Sequence, residues 1–125
     1  MCYYHFYNAD SILDITTLKN LEHFELGVGY NNPIPLKQII TTSLVNLERF
    51  YVWGIELTTL DLSTNLNLKE IDIMSCGSFN SLDFSNNSQL LYLGLSDIPN
   101  VSELNLKNGN NYNLSTNYVD IVNCP

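Results

Sequence analysis

Leu57-Thr58-Thr59-Leu60-Asp61-Leu62-Ser63-Thr64-Asn65 opens the stretch whose reading decides the fold. It contains an apolar residue, two spacers, then an apolar-x-apolar triplet, here Leu57, Leu60 and Leu62. The same pattern returns as Leu68/Ile71/Ile73, Phe79/Leu82/Phe84, Leu90/Leu93/Leu95 and Val101/Leu104/Leu106, each copy eleven residues after the last. A fixed short period of this kind is the signature of a stacked repeat architecture, in which each unit buries its apolar face only against its neighbours.

Upstream of Leu57 the pattern continues with slips. Leu47/Phe50/Val52 lies ten residues earlier, Leu36/Ile39/Thr41 eleven before that, and Leu21/Phe24/Leu26 a further fifteen. The four extra residues fall in Asn31-Asn32-Pro33-Ile34-Pro35, where proline forbids a central strand and predicts a protruding loop. Leu13 and Ile15 hold the triplet positions of the first unit. The expected organisation is one domain over 1–125: an aromatic-rich N-terminal cap over 1–10, repeats over 11–111 and a C-terminal cap over 112–125. A cap is needed because an end coil otherwise exposes apolar core and unpaired strand edge. In the C-terminal cap, Val119-Asp120-Ile121 reads as one more strand closing the last coil.

Each triplet reads as a short strand with alternate residues inward, followed at once by turn residues such as Ser63-Thr64-Asn65, Ser85-Asn86-Asn87 and Ser96-Asp97. The three-then-two spacing sustains no 3.6-residue period, so little or no helix is expected. One eleven-residue unit is too short to close a coil around a core. Two units per coil give about 22 residues per turn, and the fold predicted is a mainly β solenoid of about five coils with two parallel sheets facing each other across the core.

At Leu57-Thr-Thr-Leu60-Asp-Leu62-Ser-Thr-Asn65 the chain resembles the leucine-rich repeat core LxxLxLxxN, and Ile71-Asp-Ile73-Met-Ser-Cys76 is similar to its LxLxxC variant. Tandem units of this length resemble the short, irregular bacterial leucine-rich repeats found in surface proteins of the Bacteroidetes. The tract from Leu104 to Asn111 is similar to the final repeat of such proteins. The resemblance covers roughly residues 10 to 111 and is strongest from Leu57 onward. It departs at Ile98 and Gly109, and at Ile55, Leu44, Gly29 and Leu18, which stand where the Asn or Cys would be. What it implies is a non-enzymatic module that binds a protein or glycan, at the cell surface or secreted.

Asn65 and Asn87, 22 residues apart, are expected to stack one coil above the other and to satisfy backbone groups left unpaired by the turn; Cys76 is expected on the opposite side of the coil. All three read as structural. If units alternate between sheets, one face presents Asp14, Ile40, Asp61, Asp83 and Asn105. The other presents Glu25, Tyr51, Asp72 and Gly94, flanked by Arg49, Trp53, Glu70, Met74, Tyr92 and Ser96. Exposed aromatics on a rigid sheet add contact area at low entropic cost, so Tyr51, Trp53, Met74 and Tyr92 form the candidate binding patch. The competing reading is that aromatics simply suit strands, with Trp53 tucked beneath the short step to Leu57.

Charge and composition bound the function. A net charge of −8 with only five Lys and Arg argues against nucleic acid and anionic membranes as partners. No apolar run is long enough to span a bilayer, and residues 1–6 do not read as a secretory signal. Cys2, Cys76 and Cys124 have no CxxC or Cys/His cluster, so neither a metal nor another cofactor is expected. In a solenoid Cys2 and Cys124 stand roughly 20 Å apart at about 4.8 Å per stacked strand, and three free thiols are expected. Asp61 and Asp83 invite comparison with a calcium pair or an acid–base pair, but no DxDxDG loop is present and a solvated acidic row is the simpler reading. His5 and His23 lack an HExxH partner, and Gly27-Val28-Gly29 lacks the third glycine of a dinucleotide fingerprint. The alternatives to a binding module are a polysaccharide-acting enzyme on a β-helix-like solenoid, an ice-binding solenoid, whose regular threonine rows are missing here, and a structural spacer within a longer surface protein.

Overall fold

Alternation within each triplet puts two side chains into the core and one into solvent, and parallel stacking of the triplets supplies the backbone hydrogen bonds that isolated strands of this length lack. The computed structural model describes residues 11–29, 33–77, 79–114 and 119–124. The expected N-terminal cap, with Cys2 and His5, lies outside them, as do Asn31, Asn32 and part of the expected C-terminal cap.

Among the described residues nine strands follow in order: β1 (Ser11–Asp14), β2 (His23–Gly27), β3 (Leu36–Ile40), β4 (Arg49–Trp53), β5 (Glu70–Met74), β6 (Ser81–Asp83), β7 (Tyr92–Ser96), β8 (Glu103–Asn105) and β9 (Val119–Val122). There is no helix among the described residues. One side of the coil is a five-stranded parallel sheet, β2-β4-β5-β7-β9. The other side carries two parallel pairs, β1-β3 and β6-β8. Residues 57–62 lie between these pairs: Thr59 bridges Gln38, and the Asn87 side chain reaches the Leu62 carbonyl. The chain is a β-solenoid of about four turns, where about five coils were expected. Five stacked strands have four steps between them, and the steps Phe24 to Phe50 and Leu93 to Val119 each take 26 residues where about 22 per turn were expected.

The repeat leucines form the core. All fifteen repeat positions of the five units from Leu57 to Leu106 are buried or packed against buried neighbours, and Phe24 stacks on Phe50 at 5.4 Å between ring centroids. Full burial of one such side chain contributes about 1.5–3 kcal/mol. Towards the C-terminal end, Leu95, Ile98, Val101, Leu104, Ile121 and Cys124 line a cavity of about 240 Å³.

The proline-flanked loop differs from expectation at its centre. Pro33 and Pro35 are exposed, but Ile34 is half-buried and forms a parallel bridge with Ile55. The Ile34 N–H donates to the Gly54 carbonyl and its carbonyl accepts from the Glu56 N–H, both at 3.0 Å. A one-residue bridge needs neither proline to donate, so it survives between them.

The turns are held by a ladder of amides. The Asn65 side-chain NH2 donates to the Thr41 and Leu44 carbonyls, each at 3.0 Å, while its oxygen accepts from the Thr41 hydroxyl at 2.8 Å. One coil on, the Asn87 NH2 donates to the Leu62 and Asn65 carbonyls at 3.1 and 3.0 Å. Asn108 then reaches the Asn87 carbonyl at 3.2 Å. The ladder therefore extends beyond the two asparagines expected. Asn108, next to the Gly109 that counting by elevens puts in this place, performs the same task, and the Thr41 hydroxyl caps the other end. On the opposite side of the coil the Cys76 Sγ lies 3.2 Å from the Met74 carbonyl and 3.6 Å from that of Val52. Cys124 repeats this arrangement two coils later, against Val122 and Leu95. Cys76 and Cys124 are both free thiols, and burial pushes the Cys76 thiol up to about 11.

One atom of the ladder lacks a partner. The Asn87 side-chain oxygen is buried and accepts no hydrogen bond, because Leu62 occupies the position from which Thr41 serves Asn65. Removing Asn65 loses three hydrogen bonds, whereas removing Asn87 loses two and eliminates the orphaned oxygen; the carbonyls concerned keep their turn N–H donors, and the Thr41 hydroxyl keeps the Asp61 carbonyl. Asn65→Ala is accordingly expected to cost about 2–4 kcal/mol and Asn87→Ala measurably less, compared by urea unfolding midpoints. An equal or larger loss in Asn87→Ala contradicts this account of the turns.

Candidate functional site

Parallel register converts the strand pattern into rows on the outer face of the five-stranded sheet. Glu25, Tyr51, Asp72, Gly94 and Asp120 form the middle row, each paired with the next. His23, Arg49, Glu70 and Tyr92 form one flanking row, and Gly27, Trp53, Met74, Ser96 and Val122 the other. The four candidate residues Tyr51, Trp53, Met74 and Tyr92 are thus brought together on three adjacent strands, β4, β5 and β7. Each is partly exposed.

Two glycines shape this surface. A Cβ built on Gly27 would fall 2.1 Å from two atoms of the Trp53 ring system, so the indole lies flat across the glycine of the neighbouring strand. Trp53 is therefore on the sheet surface and not beneath the step to Leu57. A Cβ on Gly94 would fall 2.5 Å from an Asp72 oxygen and 2.8 Å from the Tyr92 hydroxyl. The Asp72 carboxyl and the Tyr92 hydroxyl thus converge over Gly94, on the side towards Asp120. Large side chains covering strand glycines restore packing that the glycine removes.

Electrostatics on this face are dominated by carboxylates. Burial, then the hydrogen bond its hydroxyl donates to Glu70, pushes Tyr51 up to about 12. The edge of the His23 ring meets Tyr51 at 5.1 Å between centroids. Burial and the nearby Asp120 hold the Asp72 carboxyl above the usual range. Burial, then Asp72, Asp120 and Glu70, raises Tyr92 in the same way. Lys37 and Lys69 are engaged elsewhere, with Glu56 and Glu48 at 2.6 Å each. Arg49 is the one Lys or Arg among these rows, and Asp72 and Asp120 make no ion pair among the described residues.

The opposite face has a different occupation. Asp14 pairs with Ile40 and Asp83 with Asn105, as expected, and Asp61 follows from the Gln38–Thr59 bridge. The side chains of Asp14, Asp61, Asp83 and Asn105 each accept the N–H two residues on, from Thr16, Ser63, Ser85 and Lys107, at 2.8–3.1 Å. These are Asx-turns that end the strand and start the bend. Hydrogen bonds from Thr16, Ser63 and Ser85 hold the three Asp carboxyls below their ordinary values. A carboxyl kept ionised and tied to its own turn is a poor general acid.

Among the described residues no group of three His, Cys, Asp or Glu could hold a metal ion, and no helix is long and apolar enough to cross a membrane. The candidate face had two parts that reading the residues missed. Asp120 was seen as part of a strand but not as a member of the middle row, because the step from Leu93 to Val119 is 26 residues instead of 22. The lean of Trp53 and Asp72 over glycines was legible only as the presence of Gly27 and Gly94 in register. No protein-family model, no curated protein and no solved structure matches the chain.

The two faces have opposite pH signatures. Asp14, Asp61 and Asp83 have depressed folded-state values, so their contribution to stability is present above the unfolded value near ~3.9 and is lost as pH falls through the folded one. Asp72 has a raised value, so its ionised form costs stability at neutral pH and the cost disappears as pH falls through that value. Asp72→Asn is expected to raise the melting temperature at pH 7 by roughly 1–3 °C, with the gain vanishing in acid. Asp61→Ala is expected to lower it at pH 7, with the deficit narrowing in acid. A lower melting temperature for Asp72→Asn at pH 7 contradicts the assignment.

Proposed function

We propose that the chain is a leucine-rich repeat solenoid of the short bacterial type and works as a non-enzymatic binding module, presenting the outer face of the five-stranded sheet to a protein or glycan. The observation that carries the reading is the partial exposure of Trp53 on the outer face of that sheet, where its ring lies over Gly27 of the neighbouring strand. Tyr51, Met74 and Tyr92 continue the surface over the next two strands. Such a platform is rigid, because each side chain is anchored on a paired strand and partly covered by its neighbours. Little conformational entropy is then lost on binding. Support for the family comes from the LxxLxLxxN and LxLxxC units at Leu57–Asn65 and Ile71–Cys76, together with the amide ladder they build. The same resemblance favours a place at the cell surface or outside the cell.

The test compares wild type with Tyr51→Ala/Trp53→Ala across a panel of immobilised peptides and glycans. Ligands of the wild type should lose affinity in the variant by about tenfold or more, with the far-ultraviolet circular dichroism unchanged. Undiminished binding by a folded variant places the ligand elsewhere and overturns the assignment of this face.

A further inference from the structure

Resting on that reading of the sheet, we infer that its occupant is a basic polypeptide segment running across the strands, with one Lys or Arg side chain between Asp72 and Asp120 over Gly94 and another, three strands away, against the outer face of Trp53. The inference starts from charge. The three outward rows carry Glu25, Glu70, Asp72 and Asp120 against Arg49 as their one Lys or Arg. The other four cations of the chain are Lys19, Lys37, Lys69 and Lys107. None lies in these rows, and Lys37 and Lys69 are paired with glutamates.

Placement sharpens the charge argument. Asp72 and Asp120 occupy alternate strands, about 9.5 Å apart across β7. Gly94 between them has no side chain, so the Asp72 carboxyl lies down across the strand towards Asp120, beside the Tyr92 hydroxyl. The result is a strip of acceptors with a shallow floor. Burial first, and then repulsion from Asp120, raises the Asp72 carboxyl. A cation entering here relieves that repulsion. Three strands away, about 14 Å from Gly94 at the spacing of paired strands and within reach of an extended segment running across the sheet, the Trp53 ring over Gly27 offers the aromatic face that guanidinium and ammonium groups prefer.

The competing occupants lack this fit. A neutral sugar stacks on Trp53 but leaves the two carboxylates repelling each other, and an acidic glycan or nucleic acid adds to the repulsion. A single metal ion needs ligands gathered within a few ångströms, and these carboxylates are spread over separate strands. A flexible basic chain is the partner whose charges can be spread to match. Its binding should be fast and sensitive to salt.

The experiment uses Trp53, the single tryptophan of the chain, as the reporter. A synthetic peptide alternating arginine and glycine, its glutamate–glycine counterpart and a neutral cello-oligosaccharide are titrated against the whole chain, followed by tryptophan emission and calorimetry. The arginine peptide is expected to bind and change Trp53 emission. Its affinity should fall about tenfold both in Asp72→Asn/Asp120→Asn and on raising salt from about 20 mM to about 300 mM. Asp61→Asn/Asp83→Asn removes the same charge from the other face, keeps an Asx-turn acceptor at each position, and should change affinity less than about twofold. Equal losses in the two double variants reveal a diffuse polyanion effect and overturn the inference. Failure of the arginine peptide to bind overturns it as well. Binding of the oligosaccharide with changed Trp53 emission, undisturbed by Asp72→Asn/Asp120→Asn, overturns the basic occupant while leaving the binding face intact. The face itself fails only if the Tyr51→Ala/Trp53→Ala comparison shows no loss.

Discussion

A solenoid coil must bend between its strands, and each bend turns backbone carbonyls away from water and away from the parallel ladder. The structure depends on side chains that meet those carbonyls from the neighbouring coil. Asn65 and Asn87 each supply two N–H donors to carbonyls of the coil before them, Asn108 supplies one, and the Thr41 hydroxyl closes the series. Each of these carbonyls also accepts a turn N–H, and the amides satisfy its second lone pair from the next coil; at about 0.5–1.5 kcal/mol net per hydrogen bond, two bonds from one asparagine are comparable with burying a leucine, so the ladder is as much a part of the core as the repeat leucines are. Because each amide reaches a fixed distance to the next coil, it also fixes the pitch. Fixed pitch is what keeps the outward residues in rows.

The two sides of the coil then diverge. On the side of β1, β3, β6 and β8, the outward carboxylates are spent on their own turns and contribute to the fold. On the five-stranded side, Asp72 and Asp120 are tied to no turn or cation among the described residues, Tyr51 is held to Glu70, and Trp53 covers a glycine. Burial, then the nearby Asp120, raises the Asp72 carboxyl, opposite in direction to the three Asp carboxyls of the other face. Identical apolar-x-apolar strands have thus produced one face whose carboxylates are tied to the turns and one whose carboxylates are not. The difference lies in whether the residue two places on offers an N–H within reach.

The core, the absence of helix and the parity of the two faces were legible in the sequence, because a three-then-two apolar spacing repeated every eleven residues admits few other structures. Asn65, Asn87 and Cys76 took their expected places for the same reason. What escaped was local adjustment. Asn108 replaces Gly109 in the ladder, a shift of one residue that a strict period hides. Ile34 pairs with Ile55 between two prolines, because one bridge residue needs only its own N–H and carbonyl. Asp120 joins the middle row across a longer step. The direction in which Trp53 and Asp72 lean follows from an absence, the missing side chains of Gly27 and Gly94, and no periodicity reports that.

The central claim is that Trp53 lies on the outer face of the sheet, across Gly27, in the register that also aligns Glu25, Tyr51, Asp72 and Gly94. Proton chemical shifts measure this directly, since an indole stacked on a glycine shields its α-protons. The account predicts an upfield-shifted Gly27 α-proton, with nuclear Overhauser contacts to the Trp53 ring, that returns to an ordinary value in Trp53→Ala. An unshifted Gly27, with Trp53 in contact instead with core leucines such as Leu57, would contradict the register and the surface together.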